Sequence, residues 1–306
     1  MAQSCIVEHH LPERAAVWLT TVAVPGSRLV SASYLTAGID HGNHAVRLIE
    51  AAGSERMFVL RRWVRPEWRW QDPDYTVERE VAALSLLERA GVTAPRVVAT
   101  DPTGAEVGEC ALLMTFLPGG LPPRQLVDVR SYVDQWAAAQ LAWQHVDPAG
   151  SGVPPYEGYH DLTVREAPTD ARDAALWLAG IEYLAVTPEP KGTTFLHRDY
   201  HPANTLWSDG RLISVVDWAN ASVGHPDQDT GHMRWNLTVS YGRDVADRFR
   251  DAVVRLSGRP YDQFWDVRAI VDLIVPGRPL DLDREHGMAR ATRLPDLEQL
   301  LADALP

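Results

Sequence analysis

Cysteine is almost absent from this chain: Cys5 and Cys110 are the only two in 306 residues, far apart and in unrelated contexts. A disulfide scaffold is excluded, and two idle thiols are the simplest reading. No stretch approaches the ~18 uninterrupted apolar residues of a membrane-spanning helix. The opening segment, MAQSCIVEHHLPERAAVW, lacks a basic region followed by an apolar one, so no export signal and a cytoplasmic location are expected. Basic residues are the minority, with 29 Lys and Arg against 41 Asp and Glu and a net charge of -12. That balance excludes a dedicated nucleic-acid binder, although a phosphate site needs only a few local donors. Internal repeats and low-complexity runs are missing too. Phenylalanine is scarce, at 5, beside 11 tryptophans, so most of the Trp are expected in the core or in a pocket wall.

What is present is length and apolar content. A hydrophobic fraction of 45% supports a sizeable core without a metal or disulfide staple, and 306 residues suit two packed lobes. Strands are expected over Val22–Val30, on either side of a turn within Leu35–Ile49, and over Met57–Trp63, Pro95–Thr100 and Glu109–Phe116. Val77, Val81, Leu84 and Leu87 recur at helical spacing until Gly91. The Trp-rich block from Arg65 to Asp74 reads as a loop. Pro118-Gly119-Gly120 marks a boundary, giving a strand-rich portion, 1–117, and a mostly helical portion, 118–306. Within the second, helices are expected over 127–145, 171–186, 230–256, 260–275 and 292–304, with an insertion or lid over 146–170.

The chemistry concentrates in FLHRDYHPANTLW, Phe195 to Trp207, followed by Val215-Val216-Asp217-Trp218. Asp199 follows an apolar pair and precedes Pro202, so it is expected on a loop. There it can accept the proton of a substrate hydroxyl during phosphoryl transfer, or simply cap His201-Pro202. Asn204 precedes a short strand and Asp217 follows the return strand, which brings the two side by side. An amide oxygen, a carboxylate and nucleotide phosphates together suit Mg2+. The pattern H-x-D-x-x-x-x-N, an apolar strand and then Asp points to ATP-dependent phosphotransfer.

On these residues the chain resembles the aminoglycoside phosphotransferase and choline kinase superfamily over about residues 30 to 275. The resemblance implies a protein-kinase-like bilobal α+β fold, with a small strand-rich N-terminal lobe and a larger, mostly helical C-terminal lobe. HRDYHPAN is similar to the family's catalytic loop, with Asp199 as base, Asn204 and Asp217 as Mg2+ ligands and His197 as the loop-supporting histidine. Arg198 stands where many members have Gly. Asp229 is similar to the aspartate that braces the loop, or else is a helix N-cap, and Asp227 reads as an exposed-loop residue. Arg61 takes the place of the phosphate-contacting Lys or Arg, with Arg62 as its competitor, and Glu80 that of its pairing glutamate. Gly38 to Asn43 takes the place of the phosphate-covering turn. Met114, Thr115 and Leu117 fall in a segment, Met114-Thr115-Phe116-Leu117, that resembles the family's linker, whose main chain reads adenine.

The implied cofactors are ATP and Mg2+. The implied partner is a small hydroxylated molecule, an aminoglycoside or related antibiotic ahead of choline, a sugar or an amino alcohol, so antibiotic resistance and primary metabolism both remain open as roles. No nucleic acid or membrane partner is expected. A monomer is the default, with a dimer left open. Glu157, Asp161, Asp227, Asp281, Asp283 and Glu285 are candidates to meet substrate ammonium groups, and Trp136, Trp143, Trp177 and Trp235 are either an aromatic pocket for a cation or core. A nucleotide-binding pseudoenzyme is the rival reading from another class, and a metal-dependent hydrolase fits less well.

Overall fold

Helical spacing overrides β-branching at the start of the described chain. Ala15, Trp18 and Leu19 share one face and are buried, and the Thr20 and Thr21 hydroxyls bond back to the Ala16 and Val17 carbonyls at 3.2 and 2.8 Å. Helix α1, Glu13–Trp18, therefore runs on as a π-turn, Leu19–Ala23, where a strand was expected from Val22, and β1 begins only at Arg28. The computed structural model describes residues 10–35, 41–65, 75–280, 282 and 293–306. The chain divides into two compact units, Met1–Pro118 and Gly119–Pro306.

The first unit is one antiparallel sheet with two helices. Strands β1 (Arg28–Tyr34), β2 (Gly42–Ile49), β3 (Glu55–Arg62), β4 (Val97–Asp101) and β5 (Ala111–Thr115) are ordered β1-β2-β3-β5-β4. Alternation along the strands sends Val46, Leu48, Phe58, Leu60, Ala111 and Leu113 into a core with Ala15, Trp18 and Leu19. The opposite parity carries Asn43 and Arg61, which are direct cross-strand partners. Between β3 and β4 lies α2, Val77–Ala90, capped by the Thr76 hydroxyl, which accepts from the Arg79 amide at 3.2 Å. It ends at Gly91, whose φ of +71° is the left-handed conformation that glycine adopts at least cost.

The second unit holds α3 (Val129–Gln144), α4 (Ala174–Val186), the short strands β6 (Thr194–Leu196), β7 (Thr205–Ser208), β8 (Arg211–Val215) and β9 (Ser222–Gly224), then α5 (Asp227–Tyr241), α6 (Arg243–Ser257), α7 (Phe264–Val271) and α8 (Leu294–Ala304). Its centre is α5, in which every residue except His232 and Tyr241 is buried. Because many of those residues are polar, each needs a partner. Thr230 accepts from Gln140 Nε2 at 2.7 Å, and Thr238 donates to the Arg234 carbonyl at 2.8 Å. The buried Arg234 guanidinium pairs with Asp266 and, at 2.7 Å, with Asp247. Gly231 lets α5 lie this deep: a Cβ there would stand 2.3 Å from the Trp265 carbonyl oxygen of α7.

Trp136, Trp143, Trp177 and Trp235 are all fully buried core side chains. They do not line a cation pocket, and burial of large apolar rings is the reason. None of the described helices is long and apolar enough to cross a membrane.

Candidate active site

The segment from His197 leaves β6, turns through Pro202–Asn204, and enters the β7–β8 hairpin. Thr205 pairs with Val215, and the Val216 amide donates to the Asn204 carbonyl at 2.9 Å. Asn204 and Asp217 thus sit at the same end of the hairpin. Arg198 and Asp217 both have φ of +68°, left-handed values that cost a non-glycine residue about 1 kcal/mol or more. A Gly at position 198 would adopt this φ freely. Here the Arg198 guanidinium bonds the Glu157 carbonyl and lies 4.1 Å from the centre of the Tyr159 ring, contacts that offset the cost.

Asp229 holds the loop's main chain. Its Oδ1 accepts from the Arg198 amide at 2.8 Å, and its Oδ2 from the His197 amide at 3.0 Å and Trp143 Nε1 at 2.9 Å. It is the third residue of α5, and Pro226, not Asp229, is the N-cap. Burial pushes its carboxyl above the ordinary range, and His197 together with these donors pulls it part of the way back. His197 is buried, and its Nε2 lies 2.9 Å from the Val216 carbonyl, so that nitrogen carries the proton. Beneath the loop, the His197 ring lies 4.4 Å from Trp218, which stands edge-on to Trp143 and stacks on Phe195.

Asp199 is the partly exposed acid of this loop, its side chain 31% accessible. His232 Nε2 lies 3.2 Å and His201 Nε2 3.7 Å from its Oδ1, while Asn204 Nδ2 donates to its carbonyl at 3.0 Å and its Oδ2 at 3.3 Å. Burial opposes ionisation of Asp199, but the flanking imidazoles outweigh it and hold the carboxyl well below its usual range. Burial lowers His201 to about 4. At neutral pH, therefore, Asp199 is a carboxylate beside an uncharged His201.

The donor chemistry fits a small hard cation. With its amide nitrogen turned to Asp199, Asn204 has its amide oxygen left as acceptor, and Asp217 supplies a carboxylate. Among the described residues no three His, Cys, Asp or Glu side chains gather as a metal site. A cation held here would draw further oxygens from a phosphate ligand.

In the first unit, Arg61 Nη1 lies 2.8 Å from Glu80 Oε1, both side chains buried, and Arg61 Nε donates to Asn43 Oδ1 at 3.1 Å. Arg62, on the opposite face, pairs with Glu109 at 3.1 Å. Asn43 belongs to β2 rather than to a turn, because its carbonyl accepts from the Leu35 amide at 2.9 Å and its side chain orients Arg61. Gly38 lies outside the described residues. Met114 and Thr115 lie inside β5, which is laddered on both edges, and the Thr115 amide is taken by the Arg96 carbonyl at 2.9 Å. Leu117 lies beyond the end of that strand.

Asp227 corrects the exposed-loop reading. It is buried at the start of α5, accepts from the Asp262 amide at 3.0 Å and lies 3.5 Å from Arg259 Nη1. Asp161 accepts from its own turn at Thr163, and Glu157 is exposed. Asp281, Asp283 and Glu285 lie outside the described residues. Sequence reasoning missed His232, because no motif spans the 33 residues from Asp199. It also missed the donor role of Trp143, whose helical spacing announces only burial.

The phosphotransferase enzyme family profile matches residues 36–267, and the chain belongs to that family. The N-acetylmuramate/N-acetylglucosamine kinase of Caulobacter vibrioides is 27% identical over 207 residues, 56% of this chain. The match covers 54% of that kinase, so the chain spans about half the length of the curated relative it matches. The macrolide 2'-phosphotransferase MphH of Brachybacterium faecium is similar in structure, with a TM-score of 0.54 and 20% identity over 92% of this chain and 94% of that one. The GDP and kanamycin complex of APH(2")-IIia gives 0.64 and 16% over 94% and 97%. These likenesses show a kinase-like α+β fold, strand-rich in its N-terminal region and helical in its C-terminal region.

Proposed function

We propose that this protein is an ATP-dependent O-phosphotransferase acting on a hydroxyl of a small molecule, with Asp199 as base and Asn204 and Asp217 as the residues that hold Mg2+. The observation that carries this reading is the hairpin end: an ionised Asp199 bonded to Asn204, with Asp217 across the ladder. In the reaction the acceptor oxygen attacks the γ-phosphorus, the bond from that phosphorus to the β,γ-bridging oxygen breaks, ADP leaves, and the hydroxyl proton passes to Asp199. A carboxylate held below its usual range is a weak base. It orients the hydroxyl and takes the proton late, which suits the loose transition state of phosphoryl transfer. Bound Mg2+ would neutralise charge developing on the phosphate oxygens. Arg61, oriented by Glu80 and Asn43, is assigned to the nucleotide phosphates, where a guanidinium forms two parallel bonds.

For the acceptor, the sequence alone favours an aminoglycoside. Among the described residues, however, two of the acids expected to meet ammonium groups are engaged elsewhere, Asp227 by Arg259 and Asp161 by Thr163, which leaves Glu157 exposed without a neighbouring acid from that set. A hydroxyl-rich acceptor recognised without a carboxylate cluster, such as an N-acetylated sugar, is therefore the second reading. A pseudoenzyme would not require base and both metal ligands together. ATP consumption with Mg2+, read with mass spectrometry across aminoglycosides, macrolides, N-acetylated sugars and choline-like amines, tests all three. A phosphorylated product establishes the reaction and its acceptor class, and nucleotide binding with no product on the panel supports the pseudoenzyme.

Two variants test the assignments separately. Asp217→Ala is expected to weaken Mg-ATP binding as well as turnover, because a ligand to the cation is lost, and calorimetry with and without Mg2+ reads this directly. Unchanged Mg2+ dependence would remove Asp217 from the metal site. Glu80→Ala leaves the buried Arg61 cation without its carboxylate, a loss of about 3 kcal/mol in stability. Its KM for ATP is expected to rise more than its kcat falls, with less damage than at Asp199 or Asp217.

A further inference from the structure

We infer that His232 is a positioning residue for Asp199, fixing the carboxylate that receives the acceptor's proton; this rests on the reading of Asp199 as the base. His232 is the only residue among the first fourteen of α5 that is not buried. Its Nε2, buried and without another hydrogen-bond partner, is 3.2 Å from Asp199 Oδ1, an ion-pair contact whose N–H is not yet aligned on the oxygen, and closer than His201 Nε2 at 3.7 Å. A carboxylate only accepts, so His232 presents Nε2–H. On the other side Asn204 Nδ2 reaches Oδ2 at 3.3 Å. The carboxylate thus accepts a bond from Asn204 at Oδ2 and faces the His232 imidazole at Oδ1, so that a small turn of either ring or carboxylate closes a second bond and sets its plane.

The helix is built to deliver this contact. Asp229, three residues earlier on α5 and so on the same face, holds the amides of His197 and Arg198. Gly231 permits the close approach of α5 to Trp265. The His232 ring stands edge-on to Trp235 at 5.5 Å, and its carbonyl accepts from Asn236 Nδ2 at 2.9 Å. One turn of α5 therefore positions both the main chain and the side chain of the base, and a base turned out of line loses the hydroxyl it must meet.

The test compares His232→Leu, His232→Gln, Asp199→Asn and the double variant Asp199→Asn/His232→Leu. Mg-ATP hydrolysis is the assay, with water standing in for the acceptor hydroxyl, and histidine-selective 15N NMR is run alongside. His232→Leu should lower kcat by roughly 10- to 100-fold, as loss of an orienting partner does, with little change in KM for ATP. His232→Gln, whose amide can reach the same oxygen, should recover most of that loss. In the Asp199→Asn background His232→Leu should add nothing, whereas a merely structural role would carry over in full. The His232 Nε2–H resonance should shift when Asp199 becomes Asn. An unshifted resonance, a wild-type kcat for His232→Leu, or an equal loss in both backgrounds overturns the inference. If Asp199→Asn itself turns over like wild type, the base assignment fails first, and the two failures are told apart.

Discussion

Asp199→Asn should bind ATP nearly as the wild type does and lose roughly 10²- to 10⁴-fold in kcat, the usual worth of a positioned base. The substitution keeps size and shape but removes the charge and one acceptor. Nitrogens lie at both oxygens of Asp199, Asn204 Nδ2 hydrogen-bonded on one side and His232 Nε2 in contact at 3.2 Å on the other. An asparagine satisfies one of them and turns its own NH2 toward the second, so the side chain is also expected to shift. Thermal midpoints measured beside kcat separate this local mismatch from unfolding. The residual rate comes from positioning and charge stabilisation of the phosphoryl group, which the variant retains. Because Asp199 is held below its ordinary value, the stability its charge contributes is present above about pH 4 and lost on further acidification. No acid limb from Asp199 is then expected in the wild-type rate near neutral pH. Wild-type turnover by the variant would end the base assignment.

The geometry of the loop was legible in the sequence because its residues are local. His197, Asp199, Asn204 and Asp217 lie within 21 residues, and a turn between two short apolar strands is enough to bring the last two together. The sheet and α2 were legible for the same reason, since period-two and period-3.6 patterns show directly in the order of residues. What was not legible depends on long-range packing. Val22 reads as a strand former, yet burial of Trp18 and Leu19 and the threonine back-bonds extend the helix through it. Asp227 reads as a surface acid, and only the docking of Arg259 and the Asp262 amide explains its burial. Asn43 sits beside a glycine-bearing turn in the sequence, but its register against Arg61 places it in the ladder. The four helical tryptophans are consistent with core or pocket until the neighbours that cover them are known. His232 carries no signal at all, because its contact with Asp199 depends on how deeply α5 lies, and that depth is set at Gly231 against Trp265.

Asp229→Ala is expected to damage stability and turnover together, and the coupling is the informative part. The change orphans three buried donors, the His197 and Arg198 amides and Trp143 Nε1. Each buried donor left without a partner costs about 1–3 kcal/mol. Part is returned, since burial already opposes the Asp229 charge and holds its carboxyl above the ordinary range. A net loss of about 3–5 kcal/mol in chemical unfolding follows from these terms. Turnover should fall for a separate reason. Arg198 is held at φ of +68° with its amide on Asp229 Oδ1; once that bond is gone, the residue relaxes toward a commoner conformation and carries Asp199 with it. Asp229→Asn is the sharper probe, because it keeps the shape, satisfies one side of the site and turns an NH2 toward donors on the other. It should be the more stable of the two variants and still slow. Measured well below the unfolding midpoint, where both variants are fully folded, kcat should remain depressed in each. A wild-type kcat under those conditions would make Asp229 a stabiliser of the fold alone, leaving the loop's active geometry to His197 and the β7–β8 hairpin.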